Sequence, residues 1–363
     1  MAVTEASVRA ALESFVEPYL QRSLGEAAAL RGLQVSAGRA EAKIELGFPT
    51  VGYAHRLQSL LQQHLAAAGL NVALTLELNS RIVPHAVQRS LKPLAGVKNI
   101  VAVASGKGGV GKSTVAVNLA LAWAAAGAQV GVLDADIYGP SQPIMLGLGG
   151  QRPSSPDGKR ILPLAAHGLI AMSIGFLVDP SQAVVWRGPM VTQALTQLLG
   201  DTDWGDLDYL VVDMPPGTGD IQLTLAQRVP VAGAIVVTTP QDIALADARK
   251  GVAMFEKVSV PVLGIIENMS VHVCSNCGHA EHIFGSGGGA RMAAEFGLPL
   301  LGELPLEARI QREADSGRPS VVAEPDSARA QAYVEASRRA AAALSNRARD
   351  RSTLFPKIVV EDT

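Results

Sequence analysis

One glycine-rich segment constrains the fold more than any other part of the sequence. The letters GKGGVGKST at residues 106–114 fit the pattern G-x-x-x-x-G-K-[ST] of a phosphate-binding loop, or P-loop. An apolar run at residues 100–105 precedes the segment, and an Ala- and Leu-rich stretch through Ala126 follows it. This order of strand, glycine loop and helix is the context in which a helix N-terminus binds phosphate. The motif therefore predicts a nucleotide-binding unit.

Each residue type in the loop has a chemical reason to be there. Glycines let backbone N–H groups turn toward phosphate oxygens without a Cβ clash. Lys112 is expected to neutralise charge on the β- and γ-phosphates, and the Ser113 hydroxyl to ligate Mg²⁺. The alternative is a glycine-rich turn without a ligand. The predicted nucleotide-binding residues are Gly106, Lys107, Gly108, Gly109, Val110, Gly111, Lys112, Ser113 and Thr114.

The rest of the chain predicts a parallel α/β fold around this loop. Apolar runs alternate with helix-length stretches, which is typical of a parallel sheet covered by helices on both faces. An Ala-rich stretch at residues 327–349 predicts a closing helix. The expected strands after the first lie at residues 129–134, 169–174, 209–213, 232–239, 261–268 and 300–304.

Residues 1–80 differ in pattern and predict a small α+β domain. Apolar side chains at helical spacing predict one helix from Val8 to Leu20, and leucines 57, 60, 61 and 65 mark a second. Strands are expected at residues 42–46 and 72–78. A linker at 81–98 then leads to a P-loop domain at 99–350, and residues 351–363 are expected to form a loose tail.

Aspartates follow two of the predicted strands. Asp134 and Asp136 follow one strand and Asp213 follows another, so all three should lie near the P-loop at the carboxyl edge of the sheet. Asp213 fits an Mg²⁺-binding carboxylate, Asp134 the water shell of that ion, and Asp136 the positioning of the attacking water. The alternative is that these carboxylates cap helices or turns.

Both cysteines of the chain lie in one short segment. Cys274 and Cys277 form C-x-x-C, and Gly278 after them allows a tight knuckle. A structural zinc site would need about four ligands, which His272, His279 or His282 could complete. A redox dithiol, unliganded cysteines and an iron–sulfur cluster are the other possibilities; a cluster normally takes four thiolates, twice what one chain offers.

Lys107 makes the resemblance to a known class specific. A second lysine inside the loop is similar to the deviant Walker A (SIMIBI) class, in which that lysine reaches across a nucleotide-sandwich dimer; a solvent-facing lysine is the alternative. The resemblance implies a homodimer. A two-fold axis would bring Cys274 and Cys277 of both chains together and supply four thiolates.

Several segments together resemble the Mrp/ApbC branch of the Mrp/NBP35 family of iron–sulfur cluster carrier ATPases. They are the loop at 105–114, DIYGPS from Asp136, DMPPGTGD from Asp213, and NMS from Asn268 with the two cysteines. The resemblance implies ATP and Mg²⁺ binding, contact of Asn268 with adenine, and a [4Fe–4S] cluster bridging a dimer for delivery to apo iron–sulfur proteins within the cluster assembly machinery. Residues 1–80 are similar in pattern to a MIP18-like domain, but residues 47–53 lack the cysteine that many such domains carry.

The composition of the chain bears on which partners, compartment and rival functions are expected. The net charge of -2 argues against bulk nucleic-acid binding, and the longest apolar runs are too short to span a bilayer. With two cysteines and no signal-peptide pattern at the N-terminus, a reducing cytoplasm is expected. A ParA- or MinD-like positioning ATPase shares the loop but does not explain C-x-x-C, and a zinc-stabilised regulatory NTPase is the third alternative.

Overall fold

A computed structural model describes residues 3–36, 38–88, 91–177, 188–274 and 276–350. The first eighty residues contain a three-stranded sheet in the order β3-β4-β5, in which β4 pairs antiparallel with β3 and parallel with β5. The parallel pair is connected through helix α2. The elements are α1 (Glu5–Ser14), β1 (Val16–Glu17), β2 (Arg22–Ser23), β3 (Leu30–Ser36), β4 (Arg39–Leu46), α2 (Ala54–Ala67) and β5 (Ala73–Ser80).

The first helix is shorter than its apolar pattern predicts. It ends at Ser14 rather than Leu20, and Val16–Glu17 pairs with Arg22–Ser23 in a small hairpin. Pro18 explains the difference, since proline lacks an N–H donor and disfavours helical conformation in the residue before it. Tyr19 and Leu20 are nevertheless buried, so the apolar pattern identified core residues correctly but not their backbone conformation.

Most of the remaining chain is organised around a central sheet of eight strands within the described residues. The strand order is β15-β12-β11-β6-β10-β7-β9-β8, and every neighbouring pair is parallel except β8 with β9. The strands are β6 (Val97–Ser105), β7 (Val130–Asp134), β8 (Leu164–Ala166), β9 (Leu169–Ser173), β10 (Leu207–Asp213), β11 (Val231–Thr238), β12 (Val262–Glu267) and β15 (Leu300–Glu303), with a separate hairpin of β13 (His272–Val273) and β14 (Ala280–Glu281).

Helices cover both faces of this sheet. The connection from β6 to β7 runs toward one edge and that from β11 to β12 toward the other, so right-handed crossovers place α3 and α7 on opposite faces. The predicted α/β fold with a preceding α+β unit is confirmed. The helices are α3 (Lys112–Ala125), α4 (Gln142–Met145), α5 (Gly188–Asp201), α6 (Asp220–Arg228), α7 (Asp242–Lys257), α8 (Gly288–Phe296), α9 (Ala308–Asp315), α10 (Ser320–Ala323) and α11 (Ala328–Ser345), with a short 3₁₀ turn at Ile174–Phe176.

The boundaries differ from the predicted ones in a few places. Strand β6 begins at Val97, inside the segment expected to be a linker, and the closing helix ends at Ser345. The antiparallel edge strand β8 and the strand β3 carry no clear pattern in the sequence. The expected tail at 351–363 lies outside the described residues.

The register of the sheet positions two of the predicted site residues. Asp213 at the end of β10 is the direct neighbour of Asp134 at the end of β7. On its other side β10 pairs with β6, whose last residue, Ser105, leads into the P-loop. Parallel pairing therefore brings the two carboxylates and the loop to one edge of the sheet, as the sequence predicts. None of the described helices has the length and apolar character that a membrane span would need.

Candidate functional site

Two glycines of the P-loop are required by close contacts. A methyl group at Gly106 would collide with the backbone of Asp247 in α7, and one at Gly111 would collide with the side-chain amide of Asn268. Gly111 also has φ +80°, a left-handed conformation that side chains rarely adopt, and it caps the N-terminus of α3. The loop is thus held between α7 and the segment after β12 while its N–H groups are left to face a ligand.

Lys112 lies buried beneath this loop between two oxygen acceptors. Its Nζ atom donates a hydrogen bond to the Ser113 hydroxyl at 3.1 Å and a second to the fully buried carboxylate of Asp213. The ammonium therefore occupies the space between the hydroxyl and the carboxylate that were predicted to hold Mg²⁺. A hydroxyl and a carboxylate oxygen are hard ligands of the kind that Mg²⁺ takes together with phosphate oxygens and water, so this pair of oxygens fits such an ion.

Gln142, which lies in no recognised sequence motif, completes the surroundings of Asp213. Its Nε2 atom donates to the second carboxylate oxygen of Asp213 at 2.8 Å and to the Ser113 carbonyl at 3.1 Å. The side chain is fully buried on the short helix α4. The role comes from the folding of α4 over the loop, and no sequence signal marks an isolated glutamine in this way.

Asp134 is fully buried and holds the segment after β7. Its carboxylate accepts hydrogen bonds from the backbone N–H groups of Ser141 and Gln142 at 3.0 Å each, from that of Asp136 at 3.2 Å and from the Ser173 hydroxyl at 3.2 Å. Burial, followed by the nearby charge of Asp213, raises the pKa of Asp134 to about 7. Its observed contacts resemble the capping alternative, because they order the loop that carries Asp136 and Gln142.

Asp136 faces a cavity of about 270 Å³ above the P-loop. Its carboxyl group is half-buried, and burial raises its pKa. Among the described residues, the lining includes Asp136 but neither Asp134 nor Asp213, which lie deeper. The lining residues are Ser105, Lys107, Gly108, Gly109, Gly111, Lys112, Ser113, Thr114, Asp136, Gly139, Ser141, Met145 and Pro216.

A second cavity of about 210 Å³ adjoins the first. The two share Gly111, Thr114 and Met145, so they form one continuous depression. Asn268 lines the second cavity, and its Nδ2 atom donates to the Val110 carbonyl at 2.9 Å, which ties the end of β12 to the P-loop. Most of the opposite wall comes from residues 305–315, which carry no sequence motif of a nucleotide site.

Lys107 lies half-buried in the P-loop and lines the first cavity. Its carbonyl accepts a hydrogen bond from the Ser105 hydroxyl at 2.9 Å, which fixes the backbone. Within the described part of the chain, no side chain pairs with its ammonium group. A charge beside a phosphate-sized cavity without an internal partner can serve an anion supplied from outside.

The two cysteines lie on a hairpin beyond β12. Strands β13 and β14 pair antiparallel, and the turn between them is closed by hydrogen bonds from Cys274 N–H to the His279 carbonyl and from Gly278 N–H to the Cys274 carbonyl, each 2.9 Å. Gly278 has φ +72°, as a knuckle requires. Backbone N–H groups of Cys277 and Asn276 lower the pKa of the Cys274 thiol, and Cys277 is exposed.

Two of the histidines near the hairpin, His272 and His282, are hydrogen-bonded to backbone carbonyls. His272 Nδ1 bonds the Leu306 carbonyl at 2.9 Å and His282 Nδ1 bonds the Ser270 carbonyl at 2.6 Å. Among the described residues, no three His, Cys, Asp or Glu side chains lie close enough to hold a metal ion. The two thiols of the hairpin therefore offer two ligands from one chain.

The parallel sheet, the glycine loop on a helix N-terminus and the paired lysine and aspartate define a P-loop NTPase. Residues 96–341 match the ParA family model, described as NUBPL iron-transfer P-loop NTPase. The chain belongs to this family, which confirms the resemblance found in the sequence for the larger domain.

Relatives of known name match over most of the chain. An iron–sulfur cluster carrier protein from Escherichia coli K12 is 52% identical over 343 residues, covering 93% of this chain and 92% of its own. One from Pseudomonas fragi is 62% identical over 71% of this chain and 91% of its own. The mouse iron–sulfur cluster transfer protein NUBPL is 53% identical over 67% of this chain and 76% of its own.

Solved structures share the fold of the larger domain. A nucleotide-binding protein from Archaeoglobus fulgidus, in complex with ADP and with cobalt found, is 37% identical and covers 64% of this chain and 90% of its own, with a TM-score of 0.57. MinD from Pyrococcus horikoshii, complexed with Mg-ADP, is 23% identical with a TM-score of 0.50, covers 66% of this chain and 94% of its own, and shows the fold alone.

Proposed function

We propose that this protein is an iron–sulfur cluster carrier that hydrolyses ATP and works as a homodimer. The observation that carries the proposal is the position of the two thiols. They project from a hairpin that is the direct continuation of β12, whose end is bonded to the P-loop through Asn268. The names of the relatives point to the same cargo.

The residues of the first cavity, together with Asp213 beneath it, would carry out ATP hydrolysis. The N–H groups of the loop and Lys112 would bind the β- and γ-phosphates, and Ser113 with Asp213 would hold Mg²⁺, which neutralises phosphate charge. Asp136, which faces the same cavity, would orient the attacking water. Asp134 would contribute indirectly, because its carboxylate orders the segment that carries Asp136.

The second cavity is the proposed place of the adenine. Asn268 lies on its wall and, through Gly111 and Thr114, the cavity continues into the phosphate cavity. Lys107, which has no partner among the described residues, would reach the nucleotide of the partner chain in a sandwich dimer. This arrangement would make hydrolysis depend on dimer formation.

The number of thiolates that two chains can supply supports a [4Fe–4S] cluster as the cargo. A [4Fe–4S] cluster takes four cysteine ligands, and each chain supplies Cys274 and Cys277. Two chains related by a two-fold axis would supply all four, so one cluster would bridge the dimer. A cluster at an interface that can separate suits delivery to apo iron–sulfur proteins and exchange with the assembly machinery, in a reducing cytoplasm that keeps the thiols free.

A continuous set of backbone contacts connects the two sites. The Ser270 N–H donates to the Leu304 carbonyl at 2.9 Å, and the Leu306 N–H donates to the Val271 carbonyl at 2.8 Å. Leu306 lines the second cavity, so a wall of the proposed adenine site is bonded directly to the segment that leads to Cys274. Nucleotide binding that shifts this wall would shift the thiols as well.

Anaerobic reconstitution with iron and sulfide tests the function. We expect a brown product with the absorption of an iron–sulfur cluster that activates an apo iron–sulfur enzyme, while the Cys274→Ser, Cys277→Ser double variant stays colourless. Stable zinc at one ion per chain after iron-replete anaerobic expression would favour the zinc-stabilised NTPase instead. A colourless wild-type protein with nucleotide-dependent self-assembly would favour a positioning ATPase.

A further inference from the structure

A cavity of about 330 Å³ lies far from the P-loop, where the small N-terminal unit meets the end of α11. One wall comes from β3, β4 and the segment before β3, and the other from the residues that end and follow α11. None of these residues belongs to the nucleotide or thiol sites. The lining residues are Leu20, Arg22, Glu26, Ala27, Ala28, Ala29, Arg31, Glu45, Leu46, Gly47, Arg81, Ser345, Asn346, Arg347 and Arg349.

The cavity has a marked excess of positive charge. Five arginines line it against two glutamates, in a chain whose net charge is -2. Glu45 already pairs with Arg31 at 2.8 Å and with Arg81 at 3.6 Å. Within the described residues, the guanidinium groups of Arg347 and Arg349 have neither an ion pair nor a hydrogen bond.

The unpaired arginines are held in place by the backbone around them. The Ala86 N–H donates to the Ala348 carbonyl at 2.9 Å, so the residue between the two arginines is bonded to the segment before β6. The Asn346 side chain donates to the Leu20 carbonyl at 2.9 Å. The backbone that carries both arginines is thus bonded to the segment before β6 and, through Asn346, to Leu20 of the opposite wall.

Close packing between Gly47 and Ser345, at the bottom of the cavity, sets the separation of its two walls. Gly47, at the end of β4, leaves so little room that an added Cβ would lie 2.9 Å from the Ser345 Cβ atom. The two walls therefore meet there, and the exposed side chains of Arg347 and Arg349 line the cavity on one side of this contact. An anion bound there would be held by a backbone whose position is already set, so only the arginine side chains would have to be ordered.

We propose that this cavity binds a small polyanion of the phosphate-ester class. Guanidinium groups present paired N–H donors that match phosphate oxygens, and arginines from both walls could contact one ligand. A concave site of this volume admits a small molecule rather than a folded segment of a protein. The bound anion would link the N-terminal unit to α11, the helix that also packs on α3 of the P-loop.

Binding of inorganic pyrophosphate, measured by calorimetry without magnesium, tests this site separately from the P-loop. We expect two sites per wild-type chain. An Arg347→Gln, Arg349→Gln variant should lose one of them, or bind it about tenfold more weakly, while keeping the other. Lys112→Ala should lose the P-loop site and keep the cavity site. Arg39→Gln, which removes an exposed arginine at the far end of β4, serves as the matched control and should keep both sites.

Two results would overturn the proposal. One is the same pyrophosphate binding in wild type and in the Arg347→Gln, Arg349→Gln variant, with both proteins folded by circular dichroism. The other is tighter binding of a tetraglutamate peptide than of pyrophosphate at this site, which would indicate an acidic protein segment as the natural occupant. Failure of the P-loop assignment would instead show as unchanged binding in Lys112→Ala.

Discussion

Lys112 and Asp213 form a buried ion pair beneath the P-loop, since the ammonium donates a hydrogen bond to a carboxylate that has no exposure to solvent. Both groups are proposed to serve MgATP, Lys112 through phosphate and Asp213 through the metal. On this proposal, MgATP binding would break the Lys112–Asp213 ion pair, and Lys112 would then contact phosphate while Asp213 contacts the metal. The Lys112–Asp213 pair would therefore contribute both to MgATP binding and to the stability of the folded protein.

The first prediction concerns stability and activity at this pair. Lys112→Ala should abolish ATP hydrolysis and also lower the free energy of unfolding by about 3–5 kcal/mol, because it leaves the buried Asp213 carboxylate without its partner. Chemical denaturation and a phosphate-release assay measure the two effects. A Lys112→Ala, Asp213→Asn double variant removes the uncompensated charge, so it should regain most of the lost stability and none of the activity. Near wild-type hydrolysis in Lys112→Ala would refute the P-loop assignment.

A second prediction addresses Gln142 as a positioning residue for Asp213. Gln142→Ala removes the 2.8 Å hydrogen bond to the carboxylate, so the Mg²⁺ concentration for half-maximal hydrolysis should rise about tenfold. The rate at saturating Mg²⁺ should change less. Gln151→Ala, at an exposed site beyond α4, is the control. A purely structural role would lower stability without moving the Mg²⁺ dependence.

Much of the fold could be predicted because buried parallel strands have continuous apolar sequences. Strands β10 and β11 show this directly, and the fold class they indicate is confirmed. Strand β3 could not be predicted, since Gly32 interrupts its alternation and Leu33 is its one buried residue. The predicted length of α1 was wrong because apolar periodicity shows which side chains are buried and not whether the backbone is helical. Tyr19, for example, is buried but lies outside the helix.

Local motifs and tertiary contacts account for different parts of the site. The P-loop and the carboxylates at strand ends could be predicted, because the topology brings strand ends together. Gln142 and the wall around Leu306 could not be predicted, since their roles depend on how distant segments pack. The roles of Lys107, Cys274 and Cys277 across a dimer stay predictions, because they depend on a second chain.

The third prediction tests whether Lys107 acts in the partner chain. Lys107→Ala should reduce hydrolysis strongly and leave nucleotide binding by a fluorescent ATP analogue nearly unchanged. Mixing it with Asp136→Ala should restore about a quarter of wild-type hydrolysis, because a mixed dimer then contains one complete site. Lys159→Ala, at an exposed position, is the control. No recovery on mixing would place Lys107 in the site of its own chain.

The fourth prediction concerns the cluster and its connection to the nucleotide. About four irons per two chains should be retained after anaerobic reconstitution, since each chain has two thiols and a [4Fe–4S] cluster takes four. Cys274→Ser and Cys277→Ser should each lose iron and keep ATP binding, because the phosphate site uses other residues.

If the wall at Leu306 transmits the nucleotide state, ATP should change the rate of cluster transfer to an apoprotein in wild type. Full iron retention in the double cysteine variant would contradict the assignment. A transfer rate that is the same with ATP, with ADP and without nucleotide would leave the cluster site intact but disprove the coupling through residues 270–306.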